Sequence, residues 1–467
     1  MFKEVVDANF NYKYWHQLSD GRLIIGGFTG HGLGFAAGSS KVAAELLVNG
    51  FSKTSDLFRP KRFNFKGRAY NLAQALEAVI VTGKRTPIGS FQGSLANISA
   101  PKLGSIAIDS VLKESKISVE RIDEVIMGNV LPAGLGQAPA RQAALGAGLP
   151  NSVECLTINK MCGSGLKAVM LASQAIQSGD ADVIVAGGME NMSQAPYLLS
   201  KARKGYRMGN GEIIDSMIQD GLWDVYNDMH MGNCAELCAR ERNYSREVQD
   251  AVTIKSYTRA QYAQKKRLFE KEIVPVKISQ KKGEIVLVKE DEEPGRARFE
   301  KISTLRPAFE KKGTVTAANA SKISDGAAAL LVTNLSTVKE LGISPNVRIL
   351  AQATAAQAPE WFTTAPVKAI GKVLQKAGME AKDIDLWEIN EAFAPVTMAA
   401  VDEFQLDWEK VNVHGGAIAL GHPIGASGAR ILVTLIHAMN IRKAKIGLAT
   451  LCIGGGEASA LIVERIE

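Results

Sequence analysis

A chain of 467 residues is long enough for two or three domains, each burying its own core. Its hydrophobic share of 46% and charged share of 22% are ordinary for a globular protein, and no run approaches the roughly 18 uninterrupted apolar residues that would span a bilayer, so a membrane partner is not expected. The formal charge of +7 divides into +5 from residues 1–75 (ten Lys/Arg against five Asp/Glu) and +2 from the remainder, which leaves no broad basic face of the kind nucleic-acid binding requires. The five cysteines are few and odd in number, which disfavours a disulfide framework and fits a reducing, cytoplasmic compartment. Cys234 and Cys238 stand four apart without a second ligand pair, so helix packing is expected there and a metal site is not.

In chain order, the first run that carries chemistry is INKMCGSGLK (158–167), which reads as a strand end, a glycine turn and a helix start. Such a turn lifts Cys162 to the mouth of a site. It also aims the first free N–H groups of the helix at the sulfur, which lowers a thiol pKa. The competing reading is a buried packing cysteine. A strand-like run, ADVIVAGGME (181–190), follows the helix and ends in paired glycines. Residues 192–322 are more polar and irregular, with a basic helix-like run at 245–273 and the acidic stretch KEDEEPG (289–295); a solvated helix face and a surface loop are expected. Further on, Asn390-Glu391 fits a helix N-cap on local grounds.

Toward the C-terminus, His422 lies in NVHGGAIALGHPIGASGAR (412–430) and Cys452 in GLATLCIGGGEASA (447–460). A nucleophilic Cys needs a base within hydrogen-bond reach, and imidazole suits that work near neutral pH. Glycines around each group let backbone N–H donors approach a developing oxyanion. His414, in Val-His-Gly-Gly at a strand end, is a rival base for which a structural role is expected. The region after residue 76 therefore reads as two related halves, each a turn, a helix, a buried strand and a glycine end. Near-continuous apolar strands fit an α/β arrangement with parallel sheet covered on both faces.

The blocks NKMCGSGLKAV, AGGMENMS, NEAFAP, GGAIALGHPIGASGAR and CIGGG together resemble a thiolase, nearest the acetyl-CoA acetyltransferase branch, over roughly residues 76–467. The resemblance implies a five-layer α/β/α/β/α sandwich of two related halves, residues 76–191 plus 323–345 and residues 346–467. A loop domain covering coenzyme A is inserted at 192–322. It implies catalytic Cys162, His422, Cys452 and Asn390, with the backbone N–H groups of Cys162 and Gly454 as an oxyanion hole. His230, Met231 and Ser321 match substrate contacts, whereas Arg296 and Arg298 lie in a stretch that matches poorly. The implied reaction is the reversible Claisen condensation of two acetyl-CoA to acetoacetyl-CoA and CoA through acetyl-Cys162, needing no further cofactor. A homotetramer, tied together through residues 192–210, is implied as well. The alternative is a degradative 3-ketoacyl-CoA thiolase of broader chain length. A ketoacyl synthase would share the fold but lack Cys452. Glu457-Ala458-Ser459 departs from the small and apolar residues of many members.

Residues 14–50 and the following DLFRPKRF resemble the C-terminal end of FAD-dependent amine or amino-acid oxidoreductases. No GxGxxG precedes them, so no FAD is expected, and the segment is read as a fused remnant. Glu4, Asp7, Asp20, Glu45 and Asp56 argue against a transit peptide.

Overall fold

In the computed structural model the chain divides into two units, Met1–Gln74 and Ala75–Glu467. The described residues are 77–279 and 284–466, together with three short strands in the first unit, Lys13–Gln17, Leu23–Gly27 and Phe35–Ala37. Those three pair as an antiparallel meander. The rest of the segment read as an oxidoreductase remnant lies outside the described residues.

In the second unit, apolar runs form strands β1 (Ala78–Arg85), β2 (Glu124–Gly128), β3 (Glu154–Ile158), β4 (Val183–Asn191) and β5 (Ser324–Asn334). They lie in the order β1-β5-β4-β2-β3, with β2 parallel to both neighbours and β5 antiparallel to both of its own. The later strands are β6 (Val347–Ala356), β7 (Leu386–Ile389), β8 (Ile446–Ile453) and β9 (Glu457–Arg465). Their order, β6-β9-β8-β7, repeats that of the first half, again with the last strand antiparallel to both neighbours. The counterpart of β3 is reduced to one bridge between Trp387 and Val411. The halves meet edge to edge, where β1 pairs with β6 through Val79↔Arg348 and Ile80↔Val347.

The longer helices among the described residues are α1 (Ala100–Ser115), α2 (Pro139–Gly146), α3 (Ser164–Ser178), α4 (Met231–Glu241), α5 (Arg246–Lys265), α6 (Ala365–Ala377), α7 (Ala394–Phe404) and α8 (Ile424–Arg442), of which α4 and α5 belong to the insertion and the rest to the layers. Strand periodicity decides which core each side chain joins. On β4, Val183, Val185 and Met189 face α1 and α2, whereas Ile184 and Ala186 face α3 and α8. On β8, Ala449 and Leu451 join the same central core, and Ile446 and Leu448 pack with α6 and α7. The result is the expected α/β/α/β/α order. Helix α8 is largely apolar because it runs through the middle layer; 83% of its most hydrophobic stretch is buried.

The two central helices cross with almost no side chain between them. A Cβ on Gly165 would lie 2.6 Å from the Ala429 nitrogen, and one on Gly428 would lie 2.4 Å from the Leu166 nitrogen. The insertion between β4 and β5, which carries α4 and α5, is anchored by Arg85 at the end of β1. The Arg85 Nε bonds Glu272 at 2.7 Å, and its two terminal nitrogens bond Asp291 at 2.7 and 2.9 Å. All three side chains are buried, and breaking such a pair costs about 3–5 kcal/mol because a charge is left uncompensated. The KEDEEPG stretch is therefore not a solvated loop throughout. Asp291 is drawn inside as a counter-charge, and Glu292 accepts the Ser90 N–H at 2.6 Å.

Two glycine-to-alanine changes separate packing from propensity. Gly428→Ala should lower stability by about 3 kcal/mol, because backbone cannot retreat from the new methyl group. Gly371→Ala, at an exposed position of α6 with nothing within 4 Å, should raise it by about 0.5–1 kcal/mol. Thermal melting of the two variants beside the wild type checks both signs.

Candidate active site

The turn after β3 is held by local side chains. The Asn159 side chain accepts the Met161 N–H at 2.9 Å, while Ser164 Oγ accepts the Lys160 N–H at 2.8 Å and donates to the Met161 carbonyl at 2.6 Å. These bonds hold Met161 at φ +47°, a left-handed conformation that costs a non-glycine residue about 1–2 kcal/mol. Cys162 follows, half-buried, on the wall of a cavity of about 510 Å³.

The expected donation from the start of α3 to the sulfur is not made by its first amides. The Gly163 and Ser164 N–H groups bond the Lys160 and Met161 carbonyls, both at 3.0 Å. The backbone N–H groups of Gly454 and of Cys162 itself favour the thiolate instead. Burial outweighs these donors and pushes the thiol up to about 11, with the Glu190 carboxylate adding to the rise. The expectation of a lowered pKa is thus reversed.

His422 reaches the same cavity from the turn before α8. Gly421 is required there, with φ +112° and with Ser324 Oγ 2.3 Å from where a Cβ would sit. The His422 N–H bonds the Lys322 carbonyl at 3.0 Å. Its Nδ1 lies 2.5 Å from Ser427 Oγ, and that hydroxyl donates to the Pro423 carbonyl at 3.0 Å. The Ser427 proton is committed, so Nδ1 carries the ring proton and donates. Nε2, which has no partner among the described protein atoms, is left with its lone pair. Burial, helped by Arg430, holds the imidazolium down at about 3.

Cys452, near the end of β8, is fully buried with Met231, Cys234, Ala392, Phe393 and Val396. Burial first, and Cys162 second, hold its thiol well above the ordinary range. Asn390 follows β7 and is buried with both side-chain polar atoms unpartnered. It is not an N-cap, because α7 begins at Ala394 and is capped by Phe393. Glu391 has the structural task. It accepts from Ser256 Oγ at 2.6 Å, Asn412 Nδ2 at 2.9 Å and the Ile418 N–H at 3.2 Å.

The cavity wall brings together Cys162, His422, Gly454, His230, Met231 and Ser321. Cys452 and Asn390 are not on it; they are buried behind. Met231 sits over the Gly454 turn, its sulfur 3.7 Å from where a Gly454 Cβ would be. His230 stacks on Phe309 at 4.8 Å, and its Nδ1 caps α4 by accepting the Gly232 N–H at 2.9 Å. Ser321 is fixed by its N–H to the Ala392 carbonyl at 2.9 Å. His414 is off the cavity, buried edge-on against Phe269 at 5.8 Å.

Sequence reasoning missed Phe309, Lys322 and Glu293 on the wall, and left Arg296 open. No local signal marks Phe309 or Glu293, which come from an irregular insertion. Glu457, flagged as a departure, forms an ion pair with Lys160 between the Cys162 turn and the Gly454 turn.

Comparison with known proteins agrees with this geometry. Residues 78–336 match the thiolase N-terminal domain and residues 343–465 the thiolase C-terminal domain. An acetyl-CoA acetyltransferase of Cupriavidus necator is 53% identical over 83% of this chain and 99% of its own length. One of Schizosaccharomyces pombe is 51% identical over 84% of this chain and 99% of its own. The crystal structure of the Acat5 thiolase of Ascaris suum in complex with coenzyme A superposes with a TM-score of 0.79 at 42% identity, covering 84% of this chain and all of that one. Both thiolase models begin beyond residue 75, and the oxidoreductase resemblance of residues 1–75 finds no support. Through both halves of its second unit, this chain belongs to the thiolase family.

Proposed function

We propose that this thiolase uses Cys162 as an acetyl carrier and Cys452 as a carbon-acid base in the reversible condensation of two acetyl-CoA to acetoacetyl-CoA and CoA. The observation that carries the assignment is one cavity wall that holds Cys162, Gly454 and His422, the last with no partner on Nε2 among the described protein atoms. The names carried by the Cupriavidus and Schizosaccharomyces relatives support the choice of substrates.

With the thiol near 11 and the imidazolium near 3, both groups rest neutral at neutral pH. The proton therefore leaves Cys162 for His422 Nε2 as the sulfur attacks the thioester carbonyl. The departing CoA thiolate takes a proton from Cys452 and leaves a thiolate there. That thiolate removes a Cα proton from the second acetyl-CoA. His422, now cationic, and a water held by Asn390 receive the enolate charge. The enolate carbon attacks acetyl-Cys162, the oxyanion forms against the Cys162 and Gly454 N–H groups, and collapse expels Cys162, which recovers its proton from His422. One preorganised donor of this kind contributes about 3 kcal/mol to the transition state. The steps need no cofactor beyond the thioesters, and a reducing, cytoplasmic setting suits two working thiols.

A homotetramer is proposed as well. Support comes from the apolar surface of the insertion, where Tyr197, Met208, Ile213 and Tyr226 are each at least 65% exposed. Light scattering should give a mass about four times the 50.0 kDa chain.

CoA-dependent cleavage of acetoacetyl-CoA tests the reaction directly. Cys162→Ala should reduce kcat by about 10⁴-fold or more, and folded wild type without this activity would overturn the reading. Met231→Ala should raise relative kcat/KM for a substrate two carbons longer by about 10-fold, since a methylene in a pocket discriminates by that order. The rate of Cys162 alkylation by iodoacetamide should climb with pH toward 11 without levelling near 7; an early plateau would contradict the neutral pair. Stability follows the same signs. Acid below 6.5 favours the unfolded chain, which can protonate the His422 ring, and base above 9.0 favours it through the Cys162 thiol.

A further inference from the structure

Lys322 lines the cavity beside Ser321, and none of the acyl-transfer steps uses it. Among the described residues its ammonium forms no ion pair. It donates to three backbone carbonyls of one loop, those of Ala317 at 2.8 Å, Ala318 at 3.3 Å and Ala320 at 2.7 Å. Its Nζ also lies 5.8 Å over the ring of Tyr257 on α5. Three converging carbonyl dipoles and an aromatic face form a cage suited to a monovalent cation, and here the cation is tethered to the chain.

The caged loop is connected in several directions. The Thr316 N–H bonds Asn319 Oδ1 at 2.7 Å, closing the turn. The Ala394 N–H bonds the Asn319 carbonyl at 2.9 Å, which joins the loop to the start of α7. The Lys322 carbonyl takes the His422 N–H at 3.0 Å, while Ala317 and Ala320 are themselves on the cavity wall. Ammonium, wall and catalytic histidine are thus joined within six residues of chain and one hydrogen bond. Burial lowers the ammonium to about 8, which leaves it charged at neutral pH, and Glu293 and Glu391 favour that charge.

We propose that the Lys322 ammonium acts as a built-in cation, holding the Ala317–Ala320 carbonyls in the shape against which the coenzyme A arm docks. Lys322 is then a positioning residue for substrate binding. The inference rests on the acyl-CoA reading of the cavity.

The test is Lys322→Met, assayed by acetoacetyl-CoA cleavage and by calorimetric titration with CoA, in ammonium chloride and in sodium chloride of equal ionic strength. In sodium, KM and the Kd for CoA should rise about 10-fold while kcat changes less than about 3-fold, the pattern of lost binding rather than lost chemistry. Ammonium, which can occupy the vacated cage and donate to its carbonyls, should recover most of the loss, and wild type should be indifferent to the salt. Unchanged binding in the variant would overturn the proposal. A loss that ammonium and sodium affect equally would do so too, because it would mark the lysine as packing alone. If Lys322→Met does not fold, Lys322→Gln is read by the same two salts. Inactive wild type would sink the proposed reaction, whereas the CoA titrations would still decide the role of Lys322.

Discussion

Two helices that cross through Gly165 and Gly428 approach more closely than side chains permit, and their N-terminal ends are thereby fixed relative to one another. Cys162 precedes one of these helices and His422 the other. The same contact propagates to the strands beside them. Gly188 of β4 has room for no side chain, since a Cβ there would lie 2.0 Å from the Gly425 carbonyl at the start of α8. The Glu190 carboxylate, two residues on, accepts the N–H groups of Val130, Leu131 and Gly425. Backbone from β2, β4 and α8 is thus fastened together directly beneath the site, so a dense centre rather than a flexible loop sets the distance between thiol and imidazole.

Burial at that centre governs the chemistry as well as the packing. Burial raises the Cys162 thiol and lowers the His422 imidazolium, so both groups rest neutral. The N–H groups of Cys162 and Gly454 do not overcome desolvation of a resting thiolate. Ser427 completes the arrangement by occupying Nδ1, which leaves Nε2 as the acceptor.

The insertion between β4 and β5 supplies the rest of the cavity, and buried charge holds it together with the backbone bonds of Arg85 to Glu272 and Val274. Arg85 draws Glu272 and Asp291 into the interior, and Lys322 gathers three carbonyls at the wall. In each case a cation organises irregular backbone of the insertion, Arg85 from the end of β1 and Lys322 from within the insertion itself. The ion pair of Lys160 with Glu457 joins the Cys162 turn to the Gly454 turn.

Local sequence determined a good deal of this. Near-continuous apolar strands, paired glycine ends and the turn–helix–strand repeat specify a doubled α/β frame, because strand period and buried parallel sheet leave a direct imprint on composition. The glycine-set Cys162, His422 and Cys452 stood out as candidates, since a side chain presented at a tight turn needs small neighbours in the chain itself. Only the tertiary structure decided how those groups behave. The pKa of Cys162 reverses its local expectation because Gly163 and Ser164 donate within the turn while distant segments exclude water. Asn390 ceases to be a cap, Asp291 leaves the surface, and Lys322 becomes a wall residue for a related reason: each is defined by partners contributed by other parts of the fold. Desolvation and long-range hydrogen bonding depend on which surfaces meet, and spacing along the chain does not record that.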